Sequence, residues 1–255
     1  MRSWVIDILV EALSMKFHGS EPRIRLESNF RDFYDHRFVL PCDPDFEGIL
    51  FRDDRSGPLR SKAFRILERH GYHVPRHGTI LEMAYRFWEN EKLLPEELQV
   101  VVYETETSHR GLDKVRMLLS QALVTYPPDT YCSQYISGDE IGVSYRHLRI
   151  GALAYWFQYS FGIPGEWRSN VQDENGQLED LGPDFIPDYK GPDISRVMEE
   201  SALVAIDFIK AEGQMIALDL NTAPRLAGTG LEDLLSPLEL YNLLASWLIL
   251  RQKTD

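Results

Sequence analysis

The sequence predicts an α+β fold, on three observations. Strand-like segments come in adjacent pairs, helix-like segments lie between the pairs, and there is no internal repeat or low-complexity tract. Neighbouring strands favour antiparallel or mixed sheets with helices packed on them over a doubly wound parallel sheet. With 255 residues, 44% of them hydrophobic, the chain can bury a core in one large domain or in two or three smaller lobes.

The elements follow from local pattern. Trp4, Ile8, Leu9, Ala12 and Leu13 keep helical spacing and predict an amphipathic N-terminal helix. Asp7 and Glu11 interrupt that stretch, so it is not expected to be a signal peptide. "PRIRLES", "HRFVLP" and "FEGILFR" read as short strands. "GPLRSKAFRILERHGY" reads as a helix with Leu59, Ala63, Ile66 and Leu67 as its apolar stripe and Gly71 as its stop. "TILEMAYRFWENEKLL" predicts a second helix, the β-branched run "LQVVVYET" a buried strand, and "GLDKVRMLLSQALVTY" a helix. "TYCSQYISGDEIGVSYRHL" predicts two strands around the turn "SGDE", and "IGALAYWFQYSFG" a strand or strand pair.

Residues 170–196 are rich in Asp, Glu, Gly and Pro and are expected to form a long loop. Long loops inside compact domains are usually lids, binding loops or disordered segments. "ISRVMEESALVAI" reads as a helix, residues 205–226 as a strand pair, and "SPLELYNLLASWLILRQ" as a final helix with Ser236 at its N-cap and Pro237 at its first position.

The formal charge is −13 and the sequence pI is near 5.0, which argues against unaided binding to nucleic acid or an anionic membrane. Cys42 and Cys132 form no disulfide framework, so a reducing compartment and two inert core thiols are expected. No apolar run is long enough to span a bilayer, and a soluble, cytoplasmic protein is the expectation.

Chemistry concentrates in "AIDFIKAEGQMIALDLNTAPRL". Alternation separates Ala205 and Asp207 from Val204, Ile206 and Phe208, and groups Ala217, Asp219 and Asn221 on one face of the next strand. A hairpin turning near Glu212-Gly213 makes Asp207 and Asp219 cross-strand neighbours. Two carboxylates this close repel unless a cation or proton lies between them, so Asp→Asn at either is expected to raise the stability of the metal-free protein. An oxygen-only donor set suits Mg²⁺. The alternative is that these side chains face water on a half-exposed hairpin.

This stretch, followed by "RLAGTG", resembles the metal hairpin of the ATP-grasp superfamily: an Asp on one strand, then an acid, one apolar residue, Asn, and Pro soon after. "GEWRSNV" (residues 165–171) is similar to a motif of the RimK-like carboxylate–amine ligase branch. The resemblance covers roughly residues 55–250 and implies an ATP-grasp fold, two α/β lobes clasping a nucleotide. Residues 1–54 would be a shortened α/β region on the substrate side, 55–133 the small lobe and 134–255 the large lobe. It implies Asp207, Asp219 and Asn221 as magnesium ligands and Arg168 as the catalytic residue at the transferring phosphoryl group, with Asn170 beside it. Lys62 would contact phosphate. Gln134, Tyr135 and Ile136 would form the adenine hinge, with Glu140 or Asp139 toward the ribose, and "SHRGLDKV" would be the loop over the triphosphate.

Tyr103 stands where the family commonly has a Lys reaching the α-phosphate, which removes one cation from the nucleotide site; Arg110, Lys114 and His109 are the candidates to compensate. The implied activity is an ATP- and Mg²⁺-dependent ligase joining a small-molecule or peptide carboxylate to an amine. The acidic loop after Asn170 suggests a cationic acceptor. Two other readings remain: phosphoryl transfer to a hydroxyl acceptor, and a noncatalytic nucleotide-binding module. The apolar final helix with Trp247 and Leu250 could serve a homodimer.

Overall fold

The computed structural model describes residues 37–40, 43–49, 59–91, 96–104, 114–140, 142–160, 167, 184–185, 192–199, 203–221, 231–235, 239, 243 and 246–247. Among the described residues the strands form three antiparallel sheets with few helices, so the α+β expectation is met. The N-terminal helix, "PRIRLES" and Cys42 lie outside the described residues.

Strands β1 (Arg37–Leu40) and β2 (Asp43–Ile49) make a two-stranded sheet. Helix α1 (Arg60–Arg69) follows, with Gly71 just past its end at φ 82°. Its buried stripe is Arg60, Ala63, Phe64 and Leu67, whereas Leu59, expected on that stripe, is exposed. An arginine therefore occupies the first position of the apolar face.

A four-stranded sheet contains β3 (His77–Thr79), β4 (Gln99–Tyr103), β5 (Lys114–Leu118) and β6 (Tyr131–Gln134) in the order β3-β6-β4-β5. Helices α2 (Ile80–Arg86) and α3 (Leu119–Thr125) cover one face of it. A reciprocal cap fixes the start of α2: the Thr79 hydroxyl accepts from Glu82 N, and the Glu82 carboxylate accepts from Thr79 N. The helix expected over "GLDKVRMLLSQALVTY" is corrected here: Lys114–Leu118 is a strand, and only Leu119–Thr125 is helical. Pairing of Lys114–Leu118 with β4 satisfies its backbone and overrides helix propensity. Strand β4 is buried on both faces, which explains its unbroken β-branched run. Val100, Val102 and Cys132 pack under the helices, while Val101, Tyr103 and Tyr131 face a second core. Burial raises the Cys132 thiol to about 12, so it stays protonated and inert at neutral pH, as expected.

The five-stranded sheet has the order β11-β10-β7-β8-β9, from β7 (Val143–Ile150), β8 (Leu153–Ser160), β9 (Asp184–Phe185), β10 (Leu203–Ala211) and β11 (Gln214–Asn221). Strands β6 and β7, the two expected around "SGDE", are both present and belong to different sheets, so the chain passes from one sheet to the other between them. The helix expected over "ISRVMEESALVAI" is also corrected: Ile194–Arg196 is a single 3₁₀ turn and Leu203 already begins β10. Gly151 turns β7 into β8 at φ 58°, and a Cβ there would lie 3.0 Å from Leu243 O and 3.3 Å from Trp247 Cβ. Both the backbone and the packed C-terminal segment therefore require glycine. A short helix, α4 (Leu231–Leu234), is described beyond β11.

The second core lies between the sheets. Phe64 and Leu67 of α1, Val101, Tyr103 and Tyr131 of the smaller sheet, and Trp156, Val204, Ile206, Phe208, Ala217 and Leu220 of the larger one pack together. A parallel bridge from His73 to Ile216, with Ala217 N donating to His73 O at 2.7 Å, ties the segment after α1 to β11.

His147 sits in the larger sheet, its ring stacked 4.1 Å from that of Trp156 and its Nδ1 buried without a hydrogen-bond partner. Burial lowers its pKa from 6.5 to about 4, against a weaker upward pull from Asp193. The unfolded chain then binds the extra proton first as pH falls. This contribution to stability is complete above pH 6.5 and is lost as pH drops toward 4, by about 3 kcal/mol. Urea unfolding at pH 7 and pH 4.5 should show a smaller loss in His147→Phe than in the parent. Equal losses would refute it.

Candidate active site

The candidate site is built on the β10–β11 hairpin. Glu212 (φ 52°) and Gly213 (φ 75°) form its tight turn, at the position the sequence indicates. The Asp139 carboxylate holds this turn, accepting from Glu212 N at 2.7 Å and Gly213 N at 3.2 Å. Pairing sets Ala205 opposite Asn221, Ile206 opposite Leu220 and Asp207 opposite Asp219. A bulge then follows, because Phe208 pairs with Ala217 rather than Leu218. The simple alternation assumed for β11 is corrected by it: Ala217 joins Leu220 in the core instead of sharing a face with Asp219.

Each carboxylate of the Asp207–Asp219 pair is met by an arginine. Arg146 stands directly opposite Asp207 on β7 and donates twice, Nε to Oδ1 at 2.6 Å and Nη2 to Oδ2 at 2.9 Å. Asp219 accepts through Oδ1 from Arg60 Nη1, and its Oδ1 also accepts from Leu220 N at 2.9 Å. Arg60 is 4% exposed. Burial opposes the Arg60 charge, but Asp219, Tyr103 and Tyr131 outweigh it and raise its pKa. Arg146 behaves likewise: burial is outweighed by Asp207, with help from Tyr159 and Asp219. Both guanidiniums are therefore fixed cations. The repulsion expected between the acids is balanced, so Asp→Asn is no longer expected to stabilise: removing Asp219 takes the charge partner from buried Arg60, and removing Asp207 takes it from half-buried Arg146.

Arg60 also bridges the sheets. Its guanidinium lies 5.4 Å from the Tyr103 ring centroid, on β4 of the smaller sheet. Lys114, opposite Tyr103 on β5, places Nζ 5.9 Å from the same ring. The Tyr103 hydroxyl pairs with Ser133 Oγ at 3.0 Å, and its phenol is held neutral chiefly by burial. Two residues along β5, Arg116 lies over Tyr135 at 4.8 Å and over Trp167 at 5.8 Å, with Tyr135 and Trp167 edge to face. In a chain of charge −13, cations thus line one aromatic face and run into two paired carboxylates.

The residues singled out by sequence distribute as follows. Asp207, Asp219, Asn221 and Tyr103 gather at the hairpin and the facing sheet. Gln134, Tyr135 and Ile136 lie half-buried where the chain leaves β6 for the larger sheet. Glu140 is exposed and lines a groove with Asp139, Val143, Tyr145 and Lys210. Lys62 is exposed on α1, two residues past the buried Arg60. Arg168, Asn170, His109 and Arg110 lie outside the described residues. Sequence reading missed Arg60 and Arg146. Arg60 carried a signal, since it begins the i, i+3, i+4, i+7 stripe with Ala63, Phe64 and Leu67. Arg146 carried none without the register of β7 on β10.

No family model and no curated protein matches the chain. Among solved structures it is similar to a D-alanine–D-alanine ligase from Bacillus anthracis, at 14% identity and a TM-score of 0.49, over 79% of this chain and 71% of that one. It is also similar to a RiPP-associated ATP-grasp ligase from Chryseobacterium gregarium in complex with ADP and a leader and core peptide, at 18% identity and TM-score 0.48, over 79% and 63%. The macrocyclase MdnC bound with precursor peptide MdnA, from Microcystis aeruginosa, follows at 13% identity and TM-score 0.49, over 98% and 97%. Among the described residues no helix is long and apolar enough to cross a membrane.

Proposed function

We propose that this chain is an ATP-grasp-type, ATP- and Mg²⁺-dependent ligase that joins a carboxylate to an amine. The observation that carries the reading is the meeting of two parts: a cation-lined aromatic face and a hairpin with two directly opposed carboxylates followed by Asn221. A polyphosphate needs the first, and a hard divalent cation needs oxygen donors such as the second.

The donor set fits Mg²⁺ in type, two carboxylates and an amide on adjacent strands. Asp207, Asp219 and Asn221 would hold it, and when bound it supplies neutralisation of phosphate charge. The chain's own cations do the rest. Arg60 and Lys114 over Tyr103 return the positive charge that a tyrosine at this position removes. The residues between the sheets, Gln134 to Ile136, would take the base, and Glu140 the ribose. Arg168 follows Trp167, which packs against Tyr135, and would clamp the transferring phosphoryl group.

In the reaction a carboxylate oxygen attacks the γ-phosphorus and ADP leaves, giving an acylphosphate. The amine nitrogen then attacks the acyl carbon, phosphate leaves, and the nitrogen gives up a proton. Catalysis is positioning and charge neutralisation, with no covalent side-chain intermediate. The boundaries 1–54, 55–133 and 134–255 belong to this same proposal, as do a cytoplasmic setting and a homodimer through the final helix.

ATP with Mg²⁺ should raise the melting temperature, because a ligand bound only to the folded state stabilises it. At about 100-fold over Kd the gain is roughly 2.7 kcal/mol. No shift at millimolar ATP with Mg²⁺ would count against the reading.

A further inference from the structure

We infer that Arg60 and Arg146 are placeholders for the metal: they occupy the hairpin carboxylates in the nucleotide-free protein and pass to phosphate when nucleotide and metal arrive together. The inference rests on the functional reading above.

Four charges are already balanced, two carboxylates against two guanidiniums. A dication arriving alone enters the field of two fixed cations. A polyphosphate arriving alone meets two fixed anions. Neither is favoured separately. Together they exchange partners, the metal taking the carboxylates and the phosphates taking the guanidiniums, so that neither the carboxylates nor the guanidiniums are left unpaired. Arg60 is suited to the exchange. It already touches both sides, with Asp219 on the larger sheet and Tyr103, beneath Lys114, on the smaller. The geometry makes metal and nucleotide mutually dependent ligands, and such coupling must be reciprocal.

The test is Mn²⁺ binding with and without a nonhydrolysable ATP analogue, counted from the resonance of free aqueous Mn²⁺ after subtracting the Mn²⁺ that the analogue chelates in a protein-free titration. The parent should bind Mn²⁺ at least about tenfold more tightly when the analogue is present, within the usual 5–150-fold range of coupling. Arg60→Gln should bind Mn²⁺ alone at least about tenfold more tightly than the parent, bind the analogue alone more weakly, and lose most of the coupling. Arg146→Gln should shift the same way, and it stands in if Arg60→Gln does not fold. Analogue binding by the parent with no gain in Mn²⁺ affinity in either variant overturns the placeholder role and leaves the functional reading intact. A parent that binds no analogue at any Mn²⁺ concentration overturns the functional reading itself.

Discussion

Asp219→Asn is expected to abolish ATP turnover and to lower the stability of the nucleotide-free protein by about 3 kcal/mol. The substitution keeps volume and an acceptor oxygen but removes the charge facing Arg60. That guanidinium is 3% exposed in its side chain, against 27% for Asp219, so it has no ready route to water. Breaking a buried pair by removing one partner leaves an uncompensated charge and costs more than the pair contributes. The melting temperature should fall by roughly 6–12 °C. Asp207→Asn should act likewise through Arg146, which keeps only one of its two donated bonds, since an amide nitrogen cannot accept, and loses the charge of that carboxylate. Carboxylates that merely face water would give parental melting and parental ADP release. A double-mutant cycle of Arg60→Gln with Asp219→Asn isolates the pair, since residues in direct contact depart from additivity.

Arg168→Lys is expected to lower kcat by roughly 100-fold or more with much less change in ATP affinity, the scale of one lost preorganised donor. Lysine keeps the charge but loses the planar fork that holds two phosphoryl oxygens at once. An arginine outside the site would leave kcat within about twofold, in line with an ordinary surface change. A noncatalytic nucleotide-binding module would have no turnover to lose, so the same pair of assays separates all three readings.

What the sequence reveals of this site depends on the range of the signal. The β10–β11 hairpin, its turn at Glu212-Gly213 and the opposition of Asp207 to Asp219 are local, set by alternation and by Gly213, which adopts positive φ without cost. The pairing of Arg146 with Asp207 spans 61 positions and that of Arg60 with Asp219 spans 159, and no local pattern reports either. Lys114–Leu118 and the segment from Leu203 read as helix from local pattern yet form strands for the same reason: partners in β4 and β7 decide those segments, and their own composition does not. The bulge that turns Ala217 into the core is likewise a property of two strands together.

The most direct test of the account is ADP release by the parent protein with ATP and Mg²⁺ across a panel of carboxylates, amino acids and amines, with mass analysis for a condensed product. The account predicts ADP release that requires both a carboxylate and an amine and that yields one amide per ADP. ADP release with a phosphorylated hydroxyl product, or ATP binding with no ADP release under any pairing, would contradict it.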